Sequence, residues 1–214
     1  FTGLYPPNHG VRTNGDGVLR EDHLTLMRIL SDKGYRTGGS VSAFVTTRKW
    51  GFHHGFDAFY DAVPEEKNAW RGERPAQDVI DDGLEWVASS GLEEPLFLWL
   101  HLYDAHFPLQ APPEYVERAE GRGYDAEIAY VDDQVERVVQ AFKGEPTLFV
   151  VVADHGEGLG EHGELGHGLF VYDSTQRVPM FISGPGVEKG VVDTPVSLVD
   201  VMPTVLKILG HDVP

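Results

Sequence analysis

Cysteine is absent from the 214 residues, which excludes disulfides, thiolate metal sites and a cysteine nucleophile within this chain. That absence does not fix the compartment. No apolar run approaches the ~18 residues that a membrane-spanning helix needs. Positive charge is scarce, with 17 Lys and Arg against 34 Asp and Glu and a net charge of −17. Nucleic acid is therefore not an expected partner, because binding its backbone needs clustered cations. The acidic balance reads first as a solubilising surface. An anionic ligand would need a local cation, such as a metal ion, to offset that field. Phe1-Thr2-Gly3-Leu4 has neither a starting Met nor a charged leader, so the chain reads as an excised piece of something longer.

What is present suits one globular unit over 1–214. Apolar residues make up 41%, enough for a sizeable core and far from a disordered composition. Helical spacing predicts helices over 21–33 (Leu24, Met27, Leu30), 76–89 (Ile80, Leu84, Val87) and 124–142. The last of these carries the stripe Ile128, Val131, Val135, Val138 and Phe142, with Gly144 as its stop. A final helix over about 200–209 has Asp200 as N-cap and Gly210 beyond its end. Strands are expected at Tyr35–Val45, Leu96–Leu100, Thr147–Val152 and Pro179–Ser183, whereas 1–18 and 46–74 read as irregular. Continuous apolar runs predict central strands buried on both faces. The alternation of helix and strand implies an α/β layered fold with a mostly parallel central sheet and helices on both faces.

Two of these strands run straight into polar residues. Leu96–Leu102 leads into Tyr103-Asp104-Ala105-His106, and Thr147–Ala153 leads into Asp154-His155-Gly156. Ligands of open α/β sheets bind beyond the carboxyl ends of the strands, so both clusters should reach one edge. Asp154 and His155 offer a carboxylate oxygen and an imidazole nitrogen, both good ligands for a divalent cation. Alone, the pair reads equally well as an Asp capping a turn beside an unrelated His. Three His-Gly pairs from His155 to Gly168, in a polar glycine-rich loop, are hard to explain as packing. Pro108 restrains the chain after His106. His101 lies an odd number of residues from His106, so the two need not share a face, and it reads as a structural, hydrogen-bonded His. Asp104 can cap a turn, orient a His or reach a metal. A histidine-rich storage protein is disfavoured, since the histidines fall at strand ends rather than in a tract.

At this point a family resemblance becomes specific. Val150-Val151-Val152-Ala153-Asp154-His155-Gly156-Glu157, with Gly160-Glu161-His162-Gly163 and His167-Gly168, resembles the C-terminal metal motif of the sulfatase family in the alkaline-phosphatase-like superfamily. Arg177-Val178-Pro179-Met180 with Gly184-Pro185-Gly186 resembles the strand that follows, and Ser197 to Thr204 the next helix start. His101 to Pro108 is similar to the substrate-histidine segment, and Thr2 to Val11 to the tail of the signature motif. The resemblance implies a sulfatase-like sandwich with its N-terminal strand missing. It implies a metal held by Asp154 and His155, with calcium expected and zinc or manganese as alternatives. His106 and His167 would contact the sulfuryl or phosphoryl oxygens or protonate the leaving group. Asn14 falls where relatives place an amide donor to a non-bridging oxygen, and reads equally as a turn residue in Asn14-Gly15. His162 reads as a loop hinge rather than a ligand for a second metal, and His9 as structural.

The resemblance places the nucleophile and the first metal-binding Asp residues ahead of Phe1, so this chain by itself is expected to be inactive. A Lys-x-His pair common in sulfatases is replaced by Ser42 and Phe44 after Gly34-Tyr35-Arg36-Thr37, while Lys49 comes too late and is placed on the surface. The expected function is metal-dependent hydrolysis of small sulfate esters. A phosphodiesterase, phosphonate hydrolase or phosphoethanolamine-type transferase fits the same scaffold, and a degenerate binding module is a further alternative. The missing strand predicts an exposed sheet edge and self-association. Relatives of this kind favour a periplasmic or extracytoplasmic location.

Overall fold

The computed structural model describes residues 1–14, 17–64, 73–91 and 93–214. In chain order the elements begin with α1 (Pro6–His9), α2 (Leu26–Asp32), β1 (Arg36–Val41), β2 (Ala58–Tyr60), α3 (Ala76–Ser90) and β3 (Leu96–His101). They continue with α4 (Pro113–Arg118), α5 (Gly123–Ala141), β4 (Phe149–Val152), β5 (Gly158–Leu159), β6 (Leu165–Gly166), α6 (Asp173–Gln176), β7 (Met180–Ser183) and α7 (Val201–Ile208). Of the irregular stretch expected at 46–74, residues 65–72 lie outside the described residues, as does Gly15.

Three strands form a parallel sheet in the order β2-β1-β3. β1 is central, and two glycines make it possible. A Cβ on Gly38 would stand 2.5 Å from the Trp86 ring of α3, and one on Gly39 would stand 2.9 Å from Phe59. On the α3 side, Leu98 and Leu100 of β3 close on Gly83. On the other side, alternation along β3 turns Trp99 into an aromatic group with Phe1, Phe52, Phe56 and Phe59. β1 stops at Val41, short of the expected Val45. Beyond it, the Ser42 hydroxyl donates to the Arg74 carbonyl, and Thr46 and Thr47 donate to carbonyls three residues back. Those local bonds satisfy the backbone in a helical turn instead of the ladder.

One apolar layer ties the fold together. Leu26, Met27, Ile29 and Leu30 of α2 pack with Met202, Val205 and Leu206 of α7, and Phe97 of β3 joins Leu148 and Val150 against them. Each of the fully buried side chains Met27, Leu30 and Leu206 contributes roughly 1.5–3 kcal/mol. α2 begins at Leu26 rather than 21 because the Thr25 side chain accepts from the Arg28 amide and caps it there.

β4 departs from expectation. It pairs antiparallel with β7, and among the described residues no ladder joins it to β3. Val151 and Val152 are exposed, and the Leu96–His101 strand is only half-buried, so neither strand is sealed on both faces. The α5 stripe also differs. Its buried residues are Ala126, Glu127, Tyr130 and Gln134, whereas Ile128 is exposed, because the helix turns its polar-rich face towards α3. The Tyr130 hydroxyl accepts from the Gln77 amide at the start of α3, which explains why a mixed face can be the inner one.

Asp104 settles one open reading of the sequence. Its Oδ1 accepts from the Ala76 amide at 3.0 Å and so caps α3, while its buried Oδ2 has no hydrogen-bond partner among the described residues. Burial raises this carboxyl above its ordinary value, against backbone hydrogen bonds that lower it.

Two outcomes follow. Gly38→Val should lower the unfolding free energy by about 2 kcal/mol or more, measured by urea denaturation, since its side chain would overpack against Trp86. A carboxyl raised on folding contributes stability that is complete below its unfolded value of about 3.9 and lost as pH rises through the folded one. Asp104→Asn carries no charge at any pH. Its stability relative to the wild type should therefore increase from pH 4 to pH 7, and a pH-independent difference would contradict the buried, half-paired carboxylate.

Candidate active site

β3 and β4 deliver their polar ends to one place. Past β3, Tyr103 stacks on the His106 ring, with centroids 4.2 Å apart. Past β4 come Asp154, His155 and Gly156. A Cβ on Gly156 would sit 2.1 Å from the Ser174 carbonyl, and the Gly156 amide donates to the Thr175 carbonyl, so this turn is seated on α6. Only a glycine permits that backbone approach. The β5–β6 hairpin then returns the chain to His167. The rings of His155 and His167 lie 3.9 Å apart, those of His106 and His167 5.0 Å, and those of His106 and His155 6.3 Å.

Backbone carbonyls set two of the three tautomers. His155 Nδ1 lies 2.9 Å from the Gly156 oxygen, and His106 Nδ1 lies 2.6 Å from the Phe107 oxygen. A carbonyl can only accept, so each Nδ1 carries the proton and each neutral ring keeps a lone pair on Nε2. His167 Nδ1 faces the Glu157 carboxylate at 3.2 and 3.3 Å. Burial lowers the His106 pKa, with the neighbouring rings His167 and His155 adding to the effect and the Phe107 carbonyl and Glu157 opposing it. Tyr103 is pushed up to about 12, by burial first and then by the carboxylates of Glu73, Asp154 and Glu157. The surroundings of Tyr103 are thus electronegative.

That chemistry fits a cation. The Asp154 carboxylate is 78% exposed, and its Oδ2 lies 3.7 Å from His155 Nε2, whose lone pair is free. Donor atoms that share one ion at about 2.0–2.5 Å stand roughly 3–4 Å apart, so this pair can serve as two neighbouring ligands. Among the described residues no group of three or more His, Asp or Glu is arranged to hold an ion. Among the described residues Asp154 and His155 are thus a pair of neighbouring donor groups, not a complete shell.

None of the other sequence-derived candidates hydrogen-bonds to the three imidazoles among the described residues, although the Asp154 charge acts on His101. Asn14 is exposed, and among the described residues no hydrogen bond or ion pair links it to the imidazoles. His162 stacks on Tyr172 at 3.9 Å, and His9 Nδ1 accepts from the Val11 amide at 3.3 Å. His101 was expected to be hydrogen-bonded, yet its buried Nδ1 has no partner among the described residues, and burial lowers its pKa. Its ring instead packs between Trp99 and Tyr103. Sequence reasoning missed Glu157 and Tyr103. Glu157 was detectable in principle, since Glu157-Gly158 and Gly166-His167 stand symmetrically about the loop.

Comparison with known proteins supports the same picture. The sulfatase family model matches residues 1–211. Over its whole length the chain is 26% identical to the uncharacterized sulfatase YidJ of Escherichia coli (strain K12), of which it spans 57%. Over 44% of its length it is 35% identical to a choline-sulfatase of Rhizobium meliloti (strain 1021), of which the match covers 19%. Among solved structures, one in complex with D-glucosamine-2-N,6-O-disulfate superposes with a TM-score of 0.80 at 17% identity, covering all of this chain and 66% of that one. Ps i-CgsB in complex with k-i-k-neocarrahexaose gives 0.79 at 23% identity, covering all of this chain and 60% of that one. The solved structures speak for the fold, an alkaline-phosphatase-like α/β arrangement. Proteins of this kind generally use a divalent metal. With the model spanning 1–211, the chain belongs to the sulfatase family.

Proposed function

We propose that the protein to which this chain belongs hydrolyses small sulfate esters with the help of a divalent metal ion. The observation that carries this reading is the convergence of His106, His155 and His167 beside Asp154 at the carboxyl ends of β3 and β4. Asp154 and His155 would hold the ion, and calcium is the proposed identity, with zinc and manganese as alternatives. When bound, the ion supplies positive charge to an anionic oxygen.

The remaining roles fall to side chains. When the anionic ester is bound, His106 and His167 would carry a second proton on Nε2, contact the sulfuryl oxygens through it and release it to the departing alcohol. With Nδ1 bound to the Phe107 carbonyl, His106 can act only through Nε2. Tyr103 holds the His106 ring flat against its own, which restricts where that Nε2 points. Exclusion of water from a partly buried imidazole strengthens each of these contacts. The chain spans 57% of the length of a sulfatase relative, and turnover is accordingly a property proposed for the whole protein.

The test compares an aryl sulfate, an aryl phosphate monoester and an aryl phosphodiester with the full-length protein loaded with Ca, Mn or Zn. Sulfate ester should be preferred, and chelation should abolish turnover. Asp154→Ala should cost more than about 100-fold in kcat/KM, beyond what loss of a mere orienting partner costs. His106→Ala should cost ~10²–10⁴, the range of a proton-transfer group. Turnover of phosphate esters alone would move the reading to phosphoryl transfer, and silence from a folded, metal-loaded protein would leave a binding module.

A further inference from the structure

We infer that Glu157 is a positioning residue for His167, and that the β5–β6 hairpin exists to hold the two in register. The functional weight of this inference rests on the sulfatase reading above, whereas its geometry does not.

The ladder Gly158↔Gly166 and Leu159↔Leu165, extended by one step, sets Glu157 directly across from His167. Directly opposed residues bring their Cβ atoms to about 4.5–5.5 Å, close enough for side chains to meet. Both carboxylate oxygens then reach His167 Nδ1, at 3.2 and 3.3 Å. The Glu157 side chain is only 9% exposed, against 27% for His167, so the carboxylate lies on the sheltered side of the ring. Its Oε1 also accepts from the Gly158 amide at 3.1 Å, which anchors it to the hairpin it belongs to.

The hairpin tolerates little slippage. A Cβ on Gly158 would stand 2.5 Å from the Gly166 carbonyl, and Gly166 has φ +94°, where a side chain would be strained. At the tip, the Gly163 amide donates to the Gly160 carbonyl and the Leu159 amide to Glu161 Oε2. A register shift of one residue would turn Glu157 to the other face.

A carboxylate facing Nδ1 makes that nitrogen the proton-bearing one and leaves Nε2 directed at the cluster. A free histidine side chain prefers the opposite tautomer, with the proton on Nε2. Glu157 therefore reverses the intrinsic preference of His167, as the backbone carbonyls do for His106 and His155.

The experiment is long-range ¹H–¹⁵N NMR on ¹⁵N-histidine-labelled protein at about pH 8, where imidazoles are neutral. In the wild type, His167 should show the Nδ1–H form, with a cross-peak from that proton to the Glu157 side chain. Glu157→Ala should shift His167 to the Nε2–H form while Leu159–Leu165 cross-strand contacts persist. Gly158→Val, which leaves Glu157 in place but breaks the register, should do the same. In the full-length enzyme, Glu157→Ala should lower kcat by about 10–100-fold with KM little changed, the usual cost of losing an orienting partner. A wild-type His167 protonated on Nε2, or a Glu157→Ala protein with unchanged tautomer, overturns the inference. Both readouts need no turnover, so failure of ester hydrolysis would count against the sulfatase reading alone. The wild-type spectrum also decides the matter if neither variant folds.

Discussion

The distance between the two halves of the site is set by an apolar contact, not by a sheet. β3 carries His106 and β4 carries Asp154 and His155, yet no ladder joins these strands among the described residues. What they share is the α2–α7 layer, against which Phe97, Leu148 and Val150 all pack. Burial of that layer therefore does two things. It stabilises the fold, and it brings the His106 and His155 rings to 6.3 Å. A loss of volume at Met27 or Leu206 would be felt at the site, because packed cores relax only partly around a cavity.

The second constraint is electrostatic. The chain is strongly acidic overall, and the site is acidic too, with Glu73, Asp154 and Glu157 all acting on Tyr103. Acceptors gathered in one place, with imidazole lone pairs among them, repel one another unless a proton or a cation intervenes. The histidines meet this constraint through their hydrogen bonds. Two are tied through Nδ1 to carbonyl oxygens, which leaves an Nε2 lone pair on each, and burial keeps His106 below its ordinary pKa. This composition is compatible with the divalent ion proposed above.

Long elements were legible in the sequence and short ones were not. The helices at 76–90 and 123–141 fall within a residue of their expected ends, because apolar spacing over four or five turns leaves few alternatives. The Asp154-His155-Gly156 turn was legible for a different reason, since an apolar run that empties into Asp, His and Gly marks the end of a strand. The inner face of α5 was misread because Glu127, Tyr130 and Gln134 are buried through hydrogen bonds that hydropathy does not record. The β5–β6 hairpin escaped notice altogether. Two-residue strands have no periodicity to detect, and the information lies instead in the glycines that let the two backbones meet.

The departures from the family's pattern then take on meaning. Ser42 and Phe44 stand where a Lys-x-His pair would be, and Arg36, the cation on β1, donates to the Ser90 carbonyl. The Ser42 hydroxyl is spent on the Arg74 carbonyl. Lys49 lies over the Phe44 and Trp50 rings, at 4.8 and 5.0 Å from their centroids, where the aromatic faces hold it. Arg74 is buried and committed to Asp82 and to the Val41, Tyr60 and Asp78 carbonyls. Arg74 thus already has structural partners, and moving it towards an ester would strand the carbonyls it serves at a cost of about 1–3 kcal/mol. In the function proposed above, recognition of the ester's oxygens would fall to the imidazoles and to the ion held by Asp154 and His155. Such a site depends on ring orientation as well as on charge, because an imidazole whose Nδ1 is held by an acceptor has only Nε2 left to face the ester. The close packing of Tyr103 on His106 and the glycine-locked hairpin beneath His167 are the devices that supply that orientation.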